Sequence, residues 1–278
     1  MSVQIKELVK GALARLGILD YCIFILEDQV KGFSRFRLSC NLRYRIGGAP
    51  DGLPIPPGYL IWLVVGSSDI QAFLDSGAVH AHQVIRHTLE KSGLALDRFD
   101  AMLDFGCGCG RIMRHWKDLQ HVRLYGSDYN PILIRWCRYH LPFAQFETNQ
   151  FSPPLRFQLN QFDFVYARSV FTHLAKDLQQ AWVDELWRVL KPGGHLLFTV
   201  SGDQFLGWLT PSEAEQYRAG RLVIRDGEME GKNYCAVFHP PSYVRREMIG
   251  ERFDVVGFVP GDATKPYRSQ DTYLLRRQ

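Results

Sequence analysis

The sequence lacks the features that would indicate a membrane protein, a nucleic-acid-binding protein or a disulfide scaffold. Its apolar runs, such as YLIWLVV at 59–65, are strand-sized and too short to cross a bilayer. The formal net charge of +4 is small and dispersed, which argues against a nucleic-acid surface. The six cysteines show no paired spacing, and the first residues mix acids and bases, unlike a secretory signal. We therefore expect a cytoplasmic chain with unpaired cysteines, no membrane span and no nucleic-acid partner.

What is present is an ordinary globular composition with two differently patterned parts. Apolar residues make up 46% and charged residues 22% of the 278 residues, enough to bury one large core or two modest ones. The first part is predicted to hold helices over 3–16 and 18–33, a Gly/Pro-rich linker over 47–58 and a strand over 59–65. We interpret residues 1–95 as a helical extension that serves as a substrate cap.

From residue 100 onward, strands and helices alternate along the chain. The predicted strands are 100–105, 122–127, 144–148, 162–167 and 194–200. Helices are predicted over 109–118, 130–140 and 176–190. Such alternation is typical of a parallel sheet covered by helices on both faces.

The end of the chain adds a helix and two more strands. The helix is predicted over 242–250, and the strands at 252–260 and 271–276 indicate a closing antiparallel pair. The roughly forty residues 201–240 are too many for a plain connection, so we interpret them as an insertion. The predicted fold of residues 96–278 is α/β, with a seven-stranded, mostly parallel, doubly wound sheet and one antiparallel strand near its edge.

A glycine-rich turn follows the first predicted strand, which we expect to be the central one. The stretch LDFGCGCGRIMRHW (103–116) has three alternating glycines, which can take positive φ and let a ligand approach the backbone. Open α/β sheets bind ligands at such turns, and a nucleotide is the obvious candidate. The pattern D-x-G-x-G-x-G departs from the dinucleotide fingerprint, because Arg111 stands where the third glycine would fall. Asp128 follows after about twenty residues, the spacing expected of a carboxylate that binds ribose.

Residues 98–200 and the last two strands resemble the class I S-adenosylmethionine-dependent methyltransferases. The resemblance is carried by LDFGCGCGR, YGSDYNP, FDFVYARSVFTHL and ELWRVLKPGGHLLFT, in the family's order and spacing. It implies S-adenosylmethionine as the cofactor and S-adenosylhomocysteine as the product. The cofactor-binding residues that it implies are Asp104, Gly106, Cys107, Gly108, Gly110, Arg111, Asp128, Tyr129, Asn149, Gln150, Ala167 and Arg168.

The resemblance also implies individual roles for these residues. Asp104 and the glycines would lie against the methionine part of the cofactor, while Asp128 would hold the ribose and Tyr129 would pack on the adenine. Asn149 would accept a hydrogen bond from the adenine amino group, at a position where the family usually has an acid. Ala167 and Arg168, at the end of the fourth predicted strand, would face the cofactor's amino-acid end.

A metal site is a competing interpretation of the turn, because Cys107 and Cys109 flank a glycine. The C-x-C spacing differs from that of a zinc finger, so we favour small turn residues and predict no metal. A glycine turn can also serve packing alone. Asp128 and the RVLKPGG segment favour ligand binding, because both follow the turn at the expected distance along the chain.

The residues that act on the methyl acceptor are less marked in the sequence. His173, in SVFTHL, is the best-placed candidate for a general base, and a structural role is the competing interpretation. The segment 231–247 mixes polar and aromatic residues as pocket walls do, and as ordinary loops also do. Its candidate substrate-binding residues are Tyr234, His239 and Tyr243. We interpret the insertion 201–240 as a lid over the acceptor.

The predicted reaction is methyl transfer to an oxygen or nitrogen of a small molecule. A metabolite, a sugar and a lipid-linked intermediate are the acceptor classes suggested by fold-level analogy. The small charge argues against the alternative acceptors, which are protein and nucleic acid. A third interpretation is a non-catalytic cofactor-binding partner protein, since the cofactor motifs say nothing about the acceptor site.

Overall fold

The computed structural model describes residues 19–31, 33–232, 234–262, 264–265, 267 and 269–278. The chain forms two compact units, Met1–Phe73 and Leu74–Gln278. We predicted an extension over 1–95, whereas residues 74–95 group with the second unit. The helix predicted over 3–16 lies outside the described residues.

The described part of the first unit is built from helices. Helix α1 comprises Leu19–Ile23 and a π-helical stretch, Phe24–Lys31, while α2 is Arg35–Gly47 and α3 is Gly58–Val65. Throughout the part of the chain that the structure describes, no helix is both long enough and apolar enough to cross a membrane.

Helix α3 occupies the position of the strand predicted over 59–65, so that prediction is wrong. Leu60, Ile61 and Trp62 are buried at successive positions, without the alternation of a half-buried strand. A short apolar run of this kind is as compatible with a buried helix as with a buried strand. The helix ends at Gly66, whose left-handed backbone directs its N–H to the Trp62 carbonyl.

A seven-stranded sheet forms the centre of the second unit. Its strands are β1 Ala101–Phe105, β2 Arg123–Asp128, β3 Gln145–Thr148, β4 Phe162–Ala167, β5 Leu190–Val200, β8 Phe253–Val259 and β9 Asp271–Arg277, while β6 Val223–Arg225 and β7 Ala236–Phe238 pair separately. The spatial order is β3-β2-β1-β4-β5-β9-β8, with β9 antiparallel to both neighbours and the pairs from β3 to β5 parallel. The predicted α/β fold class is therefore confirmed. The middle strand is β4 and not the predicted 100–105, although β1 lies beside it.

Helices flank this sheet. Helix α4 runs through Ile70–Ala78, Val79–Arg86 and His87–Lys91, followed by α5 Pro131–His140, α6 Lys176–Val189, α7 Pro211–Arg218 and α8, which joins Pro241–Tyr243 to Val244–Ile249. Helix α5 begins as predicted because the Asn130 side chain accepts a hydrogen bond from the Ile132 N–H at 3.0 Å. The helix predicted over 109–118 is wrong: the left-handed Gly110 interrupts it, and only a 3-10 turn, Met113–Trp116, forms.

Strand β5 begins at Leu190, before the predicted start at 194. Leu190 already pairs with Phe162, and the pairing register then shifts between Phe162 and Phe164. The LKPGG segment is therefore part of the strand, as a local irregularity in its pairing, and not a turn that precedes it.

The main hydrophobic core joins the sheet to α6 and α8. Phe105 of β1 and Trp182 of α6 pack with their ring centroids 4.6 Å apart. Leu222, in the insertion 201–240, belongs to the same core. The insertion is thus anchored in the fold at this point.

Candidate cofactor and acceptor site

The glycine turn leaves the carboxyl end of β1 with a backbone that other residues could not adopt without strain. Gly106, Gly108 and Gly110 have φ angles of 77°, 57° and 78°. A Cβ on Gly106 would lie 2.5 Å from a methyl carbon of Val170, and one on Gly110 would collide with Leu141. The turn therefore requires glycine for both its conformation and its close packing.

Asp128, at the end of β2, holds the turn in place. One carboxylate oxygen accepts a hydrogen bond from the Gly108 N–H at 2.9 Å, and the other accepts from the Asn130 N–H at 2.8 Å. Burial raises the pKa of Asp128 to about 6, while these two bonds oppose the rise. Each oxygen keeps a further lone pair, so the carboxylate can also accept from ribose hydroxyls.

Asp104, near the end of β1, is a buried acid with an incomplete set of partners. Its Oδ2 has no hydrogen-bond partner, and the Tyr166 hydroxyl, which itself accepts from Trp116 Nε1 at 3.0 Å, bonds the carboxyl group. Burial raises the pKa of Asp104 to about 7, against the opposing effects of Tyr166 and Arg111. An ammonium group, such as that of a methionine moiety, would complete this site.

The predicted adenine side also has an unused acceptor. The Asn149 amide nitrogen donates to the Gln150 carbonyl at 2.6 Å, while Asn149 Oδ1 is buried without a partner. This oxygen fits the predicted role as acceptor for an adenine amino group. The Tyr129 hydroxyl donates to the Gly231 carbonyl at 2.8 Å, and its ring meets Phe151 edge-on at 5.6 Å. Segment 227–231 of the insertion therefore reaches the predicted adenine side.

The cysteines near the turn behave as packed thiols. Cys107 and Cys109 are buried, burial raises the pKa of both thiols, and Cys137 Sγ lies 3.4 Å from the Gly108 carbonyl. All six cysteines of the chain are free. Among the residues that the structure describes, no group of three or more His, Cys, Asp or Glu side chains could hold a metal ion.

A cluster that the sequence analysis missed centres on His80 of α4. Its Nδ1 lies 2.7 Å from an Arg111 nitrogen, and its Nε2 lies 2.9 Å from Arg168 Nη2 and 2.7 Å from the Tyr267 carbonyl. Gly77 permits this approach, because a Cβ there would lie 2.6 Å from the Arg111 carbonyl oxygen. The sequence shows several histidines between residues 80 and 87, and their spacing does not tell which of them reaches the turn.

Residues 103–198 match a family model described as a methyltransferase domain. The match spans the glycine turn, Asp128, Asn149 and Arg168. This is a class I methyltransferase domain. The predicted enzyme class is confirmed, and the cofactor of the domain is S-adenosylmethionine, which agrees with the unpartnered acceptors of Asp104 and Asn149.

Solved structures share the fold of this methyltransferase at low sequence identity. The glycopeptide N-methyltransferase MtfA is 15% identical over 73% of this chain and 90% of its own, with a TM-score of 0.53. The complex between the Haloferax volcanii Trm112 methyltransferase activator and a putative methyltransferase contains a chain that is 14% identical, over 81% of this chain and 99% of its own, with a TM-score of 0.50. Such likenesses support the fold and leave the acceptor open.

The predicted acceptor residues lie in different environments. His173 Nδ1 donates to the Cys235 carbonyl at 2.6 Å, and burial lowers the pKa of this histidine, so it is neutral near pH 7. His239 and Tyr243 are fully buried, and burial lowers the pKa of His239 to about 3. Such burial favours a role in core packing for His239 and Tyr243, whereas Tyr234 is partly exposed. Their assignment to catalysis or substrate binding stays a prediction.

A cavity of about 320 Å³ opens beside the ends of β5 and β9. It is lined by Gln204, Phe205, Trp208, Thr264, Lys265, Tyr267 and Ser269. Tyr267 connects it to the His80 cluster, because its carbonyl oxygen accepts from both His80 and Arg168. The cavity walls therefore combine aromatic rings from the insertion with polar groups from the segment before β9.

Proposed function

We propose that this methyltransferase transfers the methyl group of S-adenosylmethionine to an oxygen or nitrogen atom of a small molecule. The observation that carries the proposal is the cavity beside β5 and β9, whose volume of about 320 Å³ suits a small molecule. Its wall of Phe205, Trp208 and Tyr267 offers apolar surface, and Gln204 and Lys265 offer a few polar contacts.

The cofactor-binding residues predicted from the sequence are part of this proposal. Asp104 would bind the amino group of the cofactor, Asp128 the ribose hydroxyls and Asn149 Oδ1 the adenine amino group. The glycine turn would let these groups approach the backbone. When bound, the cofactor supplies a methyl group on a positively charged sulfur.

The chain's remaining task is to align the acceptor and receive its proton. The acceptor's nucleophilic atom would have to be held in line with the methyl group that the cofactor supplies, and the proton that this atom loses would pass to a base or to water. His173 is the candidate base, because its Nδ1–H is fixed on the Cys235 carbonyl and Nε2 is left as the basic nitrogen. A neutral imidazole is the form that this role requires.

The test is a transfer assay with methyl-labelled S-adenosylmethionine and a cell extract separated into small-molecule, protein and nucleic-acid fractions. We expect the label in the small-molecule fraction, and its loss with the Asp104→Asn variant. Label in protein or nucleic acid would favour the alternative acceptors. Cofactor binding without label in any fraction would favour the non-catalytic partner.

A further inference from the structure

Arg168 carries a buried positive charge that no carboxylate balances. Only 9% of the residue is exposed, and its guanidinium donates to Thr199 Oγ1 at 3.1 Å, to Gln270 Oε1 and to the Tyr267 carbonyl at 3.2 Å. All three acceptors are neutral, and Arg168 Nε is buried without a partner. Within the described residues, no Asp or Glu forms an ion pair with Arg168. A buried charge in this state favours an anionic partner from outside the chain.

His80 does not supply that anion, and its hydrogen bonds fix its protonation. Both ring nitrogens face a guanidinium, but only Nε2 also faces a carbonyl oxygen, so Nε2 carries the proton and Nδ1 is the lone-pair nitrogen that accepts from Arg111. Nε2–H then donates to the Tyr267 carbonyl, which Arg168 shares. His80 is therefore neutral, in agreement with the burial and the two neighbouring guanidiniums that lower its pKa. Two cations thus lie on either side of an uncharged ring.

The hydrogen bonds of Arg168 to Thr199 and Gln270 lie on the side of the sheet where the cavity opens, beside β5 and β9. Thr199 is in β5 and Gln270 directly precedes β9, whereas the glycine turn follows β1 on the other side of β4. Burial lowers the pKa of Arg168 to about 9, which keeps it charged near neutral pH. Arg168 lies directly behind the cavity lining: Tyr267, whose carbonyl accepts from Arg168, lines the cavity together with Lys265, which forms an ion pair with Asp262 at 3.4 Å.

We propose that the methyl acceptor is a small anionic molecule, whose carboxylate or other acidic oxygen group binds Arg168 while its apolar body packs on Phe205 and Trp208. This inference rests on the proposed small-molecule function and narrows it to a substrate class. The Nη donors of Arg168 already bind neutral acceptors or face His80, so its unpartnered Nε–H is the donor left for an acidic oxygen, and the guanidinium charge strengthens that bond. The cofactor's positively charged sulfur adds to the attraction of the site for an anion.

The test measures binding of a panel of small aromatic and aliphatic carboxylic acids, each paired with its primary amide, to the protein saturated with S-adenosylhomocysteine. Calorimetric titration should give at least one acid that binds roughly tenfold or more tightly than its amide. Arg168→Gln should remove this preference, and Arg168→Lys should retain part of it. Arg123→Gln, at an exposed arginine of β2, is the matched control and should change nothing.

Two results would overturn the inference: a wild-type protein that binds no acid more tightly than its amide, or a preference that survives Arg168→Gln in a protein that melts normally. A third result would also overturn it. If Arg168→Gln weakens S-adenosylhomocysteine more than tenfold and leaves the preference intact, Arg168 serves the cofactor's carboxylate, as the family resemblance implies. Failure of the wild-type protein to bind S-adenosylhomocysteine would instead overturn the proposed function itself.

Discussion

At the scale of single residues, the proposed pairing of Asp104 with the cofactor's ammonium group predicts that cofactor binding depends on pH. Burial raises its pKa to about 7 in the free protein, whereas pairing with the cofactor's ammonium requires the ionised carboxylate. Binding below pH 7 must therefore first remove a proton. We expect the affinity for S-adenosylhomocysteine to fall about tenfold from pH 8 to pH 6, with Asp128, whose pKa is about 6, adding a smaller loss.

Calorimetry in two buffers of different ionisation enthalpy checks this prediction. Proton release on binding should be close to half an equivalent at pH 7, because a carboxyl group with a pKa of about 7 is half protonated at that pH. Asp104→Asn cannot ionise, and its weaker affinity should show little pH dependence above pH 7. An equal pH dependence in that variant would contradict the assignment.

Asp128 is proposed to bind the ribose of the cofactor, and it also holds the glycine turn in place. Two charge-assisted bonds to ribose that share one acceptor group predict a loss of about 2–4 kcal/mol for Asp128→Ala, or roughly thirty- to several-hundred-fold in cofactor affinity. A residue at an exposed strand end would leave stability unchanged, but this one is 8% exposed and bonds two backbone N–H groups. We therefore also expect a loss of about 1–3 kcal/mol in unfolding free energy.

Titration of the cofactor together with urea unfolding measures the two effects of Asp128 separately. Asp128→Asn should be milder in both, because the amide oxygen still accepts one of these bonds. Unchanged cofactor binding in the Asp128→Ala variant would remove the ribose assignment.

At the scale of elements, the insertion contributes one wall of the cavity that we propose for the acceptor. Trp208 ends the 3-10 turn Asp203–Trp208, is 69% exposed and packs on Phe205 at 5.2 Å between ring centroids. Trp208→Ala should change stability by less than about 0.5 kcal/mol and leave cofactor affinity unchanged. Loss of this apolar wall should weaken acceptor binding by about 1–2 kcal/mol, roughly five- to thirtyfold.

The acceptor KM from the labelled-methyl assay checks the role of Trp208. Tyr139→Ala, at an even more exposed aromatic residue on α5, is the matched control. A larger change in the control than in Trp208→Ala would argue against the lid. A point variant is preferable to deletion of 205–230, because that deletion would also remove Leu222 from the main core.

At the scale of the whole molecule, stability depends on the core between the sheet and α6. Trp182 is 2% exposed and packs on Phe105, and its Nε1 donates to the Phe151 carbonyl at 3.3 Å. Trp182→Ala should lower the free energy of unfolding by about 3–5 kcal/mol. Urea unfolding measures this loss, and the fraction that remains folded should bind the cofactor with an affinity within a few-fold of the original. A loss below about 1 kcal/mol would show that the surrounding core collapses into the space.

Much of the cofactor half could be predicted because its residues follow strands that the apolar pattern marks. Asp104 and Asp128 come at the ends of β1 and β2, so the sequence alone marked both as candidate site residues. The same pattern was insufficient for α3, since a fully apolar run of strand length fits either structure. It was also insufficient for the predicted helix 109–118, which the left-handed Gly110 interrupts.

The sequence by itself determined the sheet and the glycine turn, because the signals for them are local: periodicity, glycine spacing and an acid at a strand end. The cofactor class followed from the resemblance of four motifs to the methyltransferase family. Only the tertiary structure decided what surrounds Arg168. His80 is 88 positions away in the sequence, and Gln270 is 102 positions away. No local pattern relates residues so far apart, because their contact depends on how α4 packs on the sheet and on β9 joining the sheet beside β5.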